Sequence, residues 1–180
     1  MEGEGLIESA VALILVPAPS GLEALFIRRA ERAGDPWSGH MALPGGRRDP
    51  GDADRLDTAL RETAEEVGVT LPPDALLGVL DDLHPRTPTL PPLVIRPFVF
   101  GLPRRPRTRL SDEVAGVRWF ALADLPAAAA VAAVTVRGRR TRVPCFKPGG
   151  AVIWGLTYRI LEGFLALAPQ RGRRARSSSR

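Results

Sequence analysis

The chain has 180 residues (19.4 kDa), 44% apolar and 25% charged, a mixture that excludes a disordered protein and suits one folded domain. No apolar run approaches the roughly 20 residues of a bilayer-spanning helix, which excludes a chain that crosses a membrane by helices. The pI of 10.8 and net charge of +5 invite a nucleic-acid reading, but residues 171–180 hold five arginines and no acid, and residues 1–170 balance at 20 against 20.

Taken in chain order, Ala10–Val16 and Leu22–Arg28 predict two strands of a hairpin turning through Pro17–Gly21. Met41–Leu43 reads as a brief strand, Pro44-Gly45-Gly46 as a break, and Asp49-Pro50-Gly51-Asp52 as a tight loop. A helical pattern runs from about Asp54 to Val67 and stops at Gly68. Leu76–Leu83, Leu93–Leu102 and Val114–Phe120 read as strands, with a helical turn at Ala121–Leu125. Val134–Val136 and Arg140–Val143 flank Gly138 as a hairpin, and Ala151–Ala168 has apolar residues at helical spacing. These elements predict an α/β or α+β domain over residues 1–168, followed by a basic Ser/Arg tail at 169–180. Cys145 stands alone, so no internal disulfide is possible, and it reads as a small strand residue rather than a nucleophile. Glu2 and Glu4 replace the basic start of a signal peptide, and a cytoplasmic location is the expectation.

The segment Arg61-Glu62-Thr63-Ala64-Glu65-Glu66-Val67-Gly68 carries the chemistry. With each residue turning by about 100°, Leu56, Leu60, Thr63, Ala64 and Val67 form one face for a core. Glu62, Glu65 and Glu66 gather on another arc. Glu62 and Glu66 are like charges at i,i+4, costing about 0.2–0.5 kcal/mol, and only Arg61, pairing with Glu65, relieves them from within the helix. A local rule broken without repair marks function, and clustered carboxylates suit Mg²⁺ or Mn²⁺, particularly when a diphosphate completes the shell.

Gly45-Gly46-Arg47-Arg48-Asp49-Pro50-Gly51-Asp52, followed by Arg61-Glu62-x-x-Glu65-Glu66-x-Gly68, closely resembles the signature box of the Nudix hydrolases. Thr58-Ala59-Leu60-Arg61-Glu62, Leu25–Ala30 and Gly39–Gly46 resemble the coenzyme A diphosphatase-like branch, and Trp154-Gly155-Leu156-Thr157 does so more loosely. The resemblance implies a mixed β-sheet sandwiched between helices, with a loop–helix–loop metal site that hydrolyses nucleoside diphosphate derivatives. It implies Glu62, Glu65, Glu66 and the Gly45 carbonyl as ligands of Mg²⁺ or Mn²⁺, one glutamate handling the proton of water, and Arg61 holding the glutamates. Ala53 stands where the family has a glutamate, Thr63 where an aliphatic residue is usual, and the Gly46–Arg61 spacing is one residue longer. The loop carboxylate is therefore either Asp52 or Asp54.

Glu113 is a further candidate acid–base group or ligand. Arg28, Arg29, Arg47 and Trp37 are candidates for substrate binding, and His40 and His84 for weaker contacts. Asp35-Pro36-Trp37-Ser38 occupies the place where the branch has a basic residue. The leading reading is hydrolysis of coenzyme A or a derivative. ADP-ribose, dinucleotide or nucleoside triphosphate hydrolysis and a non-hydrolytic nucleotide sensor are the alternatives. The expected partner is a small nucleoside diphosphate substrate, with no membrane and no specific nucleic acid; a homodimer is compatible with this reading.

Overall fold

Ile7–Ala18 (β1) is buried on both sides, with Ala10, Ala12 and Ile14 in one core and Leu13 and Leu15 in another. The period-two alternation of a strand explains why one continuous apolar run serves two layers. The computed structural model describes residues 6–32, 39–85, 92–136 and 138–167, so Trp37 and the expected 169–180 tail lie outside the described residues. In chain order β1 is followed by β2 (Gly21–Arg29), β3 (Met41–Ala42), β4 (Gly45–Arg47), α1 (Arg55–Val67), β5 (Leu76–Val79) and β6 (Leu93–Gly101). Then come β7 (Val114–Ala121), β8 (Ala129–Val136), β9 (Arg139–Phe146), β10 (Ile153–Trp154) and α2 (Gly155–Leu167).

The large sheet runs β3-β2-β1-β6-β5, with β4 added to β1 and β7 to β2. It is mixed: β1 and β6 are parallel, whereas β2, β4 and β7 pair antiparallel. A second sheet has the order β10-β9-β8. Helix α1 packs on one face of the large sheet through Ala59 and Val67, and α2 on the other through Ile160 and Leu161.

Several elements differ from the sequence reading. The Pro44-Gly45-Gly46 break contains β4, whose residues pair with Ser9, Ala10 and Val11. The second helix begins at Gly155 rather than Ala151, because Ile153 and Trp154 pair with Phe146 and Cys145 and the Ile153 side chain is wholly buried. The hairpin around Gly138 extends back through the alanine-rich Ala129–Ala133, where strand pairing overrides helix propensity. Cys145 is buried in β9, its thiol donating to the Ala130 carbonyl at 3.5 Å.

Helix α1 matches its expected limits. The Asp54 carboxylate accepts from the Asp57 amide at 2.9 Å, a cap of about 1 kcal/mol, and Gly68 closes the helix with φ of 68°. Its core face is rotated from the one predicted: Ala64 is exposed and Ala59 is buried, with Leu56 and Leu60 half-buried. The rotation turns Glu66 inward, so the acidic arc borders the core instead of lying away from it. At the other end, Asp82 pins the helix to the sheet by accepting from Arg55 at 3.1 Å and from Arg96 at 2.7 and 2.8 Å. Arg96 holds the Asp82 carboxyl below its usual range.

Candidate active site

Arg61 organises the acidic face of α1. Its Nε and one Nη2 hydrogen go to the two Asp52 oxygens at 2.8 and 3.0 Å. Nη1 donates to Glu62 at 3.0 Å and Glu65 at 3.1 Å, and the second Nη2 hydrogen reaches the Arg47 carbonyl at 3.0 Å. A guanidinium has five N–H donors, and all five are used. Arg61 therefore has no donor left for a substrate; it positions carboxylates.

Asp52 is held from several sides. Besides the two bonds from Arg61 it accepts from the Thr58 hydroxyl at 2.8 Å and the Asp49 amide at 2.9 Å. Three of the four bonds fall on Oδ2 and one on Oδ1, its side chain is 5% exposed, and the Arg61 contact holds its carboxyl far below the ordinary range. Neither loop aspartate is thus placed as a free ligand, since Asp54 caps the helix and Asp52 anchors Arg61.

Glu66 is 5% exposed and accepts from the Gly45 amide at 2.9 Å. Burial pushes its carboxyl up to about 7, opposed by that hydrogen bond and reinforced by the charges of Glu62 and Glu113. Burial also raises Glu62, against the pull of Arg61. Glu62 lies directly over Gly46, where a Cβ would collide with its carboxylate. The bare Cα of Gly46 thus makes room for Glu62, while at Gly45, with φ of 150°, a Cβ would meet the β1 backbone at Ala10 and Val11.

Glu113 belongs to the stretch before β7 that folds over the C-terminal end of α1. The Ser111 amide donates to the Glu66 carbonyl at 3.0 Å, and the Arg109 amide to the Val67 carbonyl at 2.8 Å. Glu113 is exposed, pairs with Arg32 at 3.1 Å, and lies close enough for its charge to act on Glu62 and Glu66. The sequence-predicted acidic residues are therefore brought to one place.

The basic candidates divide. The positive charge of Arg29 acts on Glu66, and Arg29 and Arg47 both line a cavity that Gly45 also borders. Arg28 lines a different cleft, with Arg118 and the Gly149-Gly150 turn, away from the glutamates. Arg48 is engaged by Glu8 at 2.8 Å and by the carbonyls of Asp52 and Ala53. His40 packs edge-on against Trp154, with ring centroids 4.9 Å apart, whereas His84 is exposed and borders neither space.

Among the described residues no three His, Cys, Asp or Glu side chains form a ready metal cage, because Arg61 and the Gly45 amide already hold the glutamates. The donor set nonetheless fits a hard divalent cation. It consists of carboxylate oxygens on one patch, two of them with raised proton affinity from burial and mutual repulsion. Mg²⁺ characteristically takes one or two carboxylates and completes its shell with water and substrate phosphate, so a closed protein cage is not needed.

A family model described as the NUDIX domain matches residues 7–137. The chain is 32% identical over 164 residues to the mitochondrial coenzyme A diphosphatase NUDT8 of Homo sapiens, covering 88% of this chain and 69% of that one. It is 43% identical over 115 residues to an uncharacterized protein of Schizosaccharomyces pombe, covering 61% of this chain but only 35% of that relative. The chain thus spans about a third of the yeast protein's length. Among solved structures, a MutT protein from Methanosarcina mazei superposes with a TM-score of 0.56 at 26% identity, over 71% of this chain and 84% of that one. A MutT/nudix family protein from Enterococcus faecalis gives 0.60 at 19% identity, over 92% and 63%, which speaks for the fold alone. The chain belongs to the Nudix family. Its mammalian relatives are named as mitochondrial and lend no support to the cytoplasmic expectation; among the described residues no helix is long and apolar enough to cross a membrane.

Proposed function

We propose that this protein hydrolyses the phosphoanhydride of a nucleoside diphosphate derivative with the help of Mg²⁺ or Mn²⁺, and that coenzyme A or a derivative is its substrate. The observation that carries the reading is the Arg61 fork, which holds Glu62 and Glu65 on the patch where Glu66 meets the Gly45 amide. Glu62, Glu65, Glu66 and the Gly45 carbonyl are the residues that would hold the ion. When bound, the ion offsets diphosphate charge and lowers the pKa of a water molecule.

The protein's own groups supply the rest. Glu113, exposed at the rim and outside that set of ligands, is the carboxylate suited to take up the proton of the attacking water. Arg29 and Arg47, beside the cavity and near the glutamates, are placed to meet phosphate oxygens. The substrate assignment rests on the 32% identity to a coenzyme A diphosphatase over 88% of the chain. A panel of coenzyme A, ADP-ribose, a dinucleotide and a nucleoside triphosphate, with and without Mg²⁺, tests both levels. The expected result is Mg²⁺-dependent conversion of coenzyme A to 4′-phosphopantetheine and a 3′-phosphorylated adenosine monophosphate. Faster cleavage of ADP-ribose overturns the substrate, and failure on every member overturns the activity.

A further inference from the structure

A strand at the border of a sheet exposes a row of backbone N–H and C=O groups, and folded proteins blunt such edges by shortness, charge, proline or a bulge. Among the described residues the edges of this fold follow that rule with one exception. β3 and β10 have two residues each, and β4 has three. β5 has four, and its register with β6 shifts between Leu76 and Gly78. β7, which pairs with β2 alone, carries Arg118 and a register shift opposite Arg28 and Arg29. β9 is covered by β10 only at Cys145 and Phe146, and Arg139, Arg140, Arg142 and Pro144 guard the remainder. β8 has none of these protections. The eight residues Ala129–Val136 hold no charge and no proline, and they pair with β9 in unbroken register from Ala129 and Phe146 to Val136 and Arg139.

β8 forms the outer edge of the three-stranded sheet, beside β9 alone. Val136 and Arg139 face each other with two residues between them, so they exchange the hydrogen bonds that close the hairpin. Counting back by alternate pairs, Thr135, Ala133 and Val131 direct their amides and carbonyls away from β9. Among the described residues no other backbone group meets them. Their side chains are exposed as well, Val131 at 59%, so a strand laid along this edge gains apolar contact besides hydrogen bonds.

We infer that β8 is the contact edge of a homodimer, in which two copies pair their β8 strands antiparallel about a two-fold axis and join their small sheets into one. The contact is isologous, the same strand meeting itself in the opposite direction. Charge selects that partner and that direction. Along the edge itself neutral residues meet neutral residues, with no like charges opposed. The exposed Arg139 and Arg140 crowd the hairpin tip. Antiparallel pairing sends the two tips to opposite ends, each toward the base of the other hairpin, where the exposed acid Asp124 lies five residues before Ala129. Parallel pairing would set the tips side by side. Arg142 lies next to Ala133 but one strand in from the edge, so the two copies of it are held about 14 Å apart, beyond the screening length of about 8 Å. Edge pairing covers less than a standard interface, and the dimer is accordingly weak, with a dissociation constant on the order of 10 μM.

Sedimentation velocity of the full-length wild type, run from about 1 to 200 μM, is expected to show monomer passing to dimer across that range. Two variants locate the contact. Ala133→Lys sets like charges against each other at the middle of the pairing, and Val131→Pro removes an outward amide without touching a hydrogen bond to β9. Each is expected to weaken the dimer at least about tenfold, with circular dichroism confirming the fold. Hydrogen exchange on the wild type is a second readout that needs no variant: the amides of Val131, Ala133 and Thr135 are expected to gain protection as the concentration rises. A wild type that stays monomeric throughout overturns the inference, as does a dimer that both folded variants leave intact. Protection of those three amides that is the same at every concentration also overturns it, because a segment of the same chain then covers the edge.

Discussion

Replacing Asp52 by Asn keeps the side-chain shape and removes the charge that anchors Arg61. The aspartate accepts four hydrogen bonds, two of them from the Arg61 guanidinium, with its side chain 5% exposed against 29% for Arg61. An asparagine there has one carbonyl oxygen, and its amide hydrogens confront donors. Removing one partner of a buried pair costs about 3–5 kcal/mol, and the partial solvent access of Arg61 brings the expectation to about 3 kcal/mol. For a protein of this size that is a fall of about 6–12 °C in Tm. The pH dependence carries a definite sign. Because the folded Asp52 carboxyl is held well below its unfolded value, its contribution is complete above about pH 4 and is lost as the pH falls further. Urea unfolding of wild type and Asp52→Asn should show the full gap at pH 7 and a shrinking one between pH 4 and 3. Thr58→Val, which removes a single hydrogen bond to Asp52, should cost only about 1 kcal/mol. A gap under about 1 kcal/mol for Asp52→Asn at pH 7, or one independent of pH, would refute the reasoning.

The remaining predictions concern the glutamates, the loop and the tail. Glu66→Gln should lower Mg²⁺-dependent turnover by at least about two decades. The same variant should stabilise the metal-free protein by up to about 3 kcal/mol at pH 8, since a carboxyl raised from 4.5 to about 7 destabilises the fold increasingly as the pH rises through that window; calorimetric melting in a chelator checks this. Gly46→Ala, whose new Cβ would displace the Glu62 carboxylate, should cost at least about tenfold in turnover while the protein still folds, read by steady-state kinetics and circular dichroism. Deleting residues 171–180, five arginines and no acid, should change Tm and turnover little, which a melting curve and a rate on the truncated chain decide.

The sequence was most legible where local rules coincide. Asp54, the helical spacing and Gly68 bound α1 correctly because capping and αL geometry are written in single residues. The acidic arc was equally readable, since 3.6 residues per turn places Glu62, Glu65 and Glu66 without reference to the rest of the chain. What pattern could not give was tertiary. Ala59 and Ala64 are chemically alike, and only packing against β1 decides which is buried. β4 was hidden because its residues Gly45 and Gly46 have no strand propensity; pairing with β1 makes them a strand. Trp154 and Thr157 read as part of a helix start, and nothing local shows that they border the cavity shared with β4.

The like-charge pair Glu62 and Glu66 explains why loop and helix must be considered together. Within the helix their repulsion is relieved only through Arg61, and the rest of the repair comes from the loop. Glu62 takes a guanidinium hydrogen above Gly46, while Glu66 turns to the Gly45 amide, so separate donors hold the two carboxylates. That arrangement depends on the guanidinium being fixed, which requires a carboxylate at the far side. In this chain the anchor is Asp52, which meets the Arg61 guanidinium with both oxygens. Thr58 and the Asp49 amide add two further hydrogen bonds. Asp52→Glu keeps the charge but adds a methylene to a side chain that is 5% exposed and held by four donors, and that crowding makes the substitution destabilising rather than neutral, which urea unfolding beside the wild type checks.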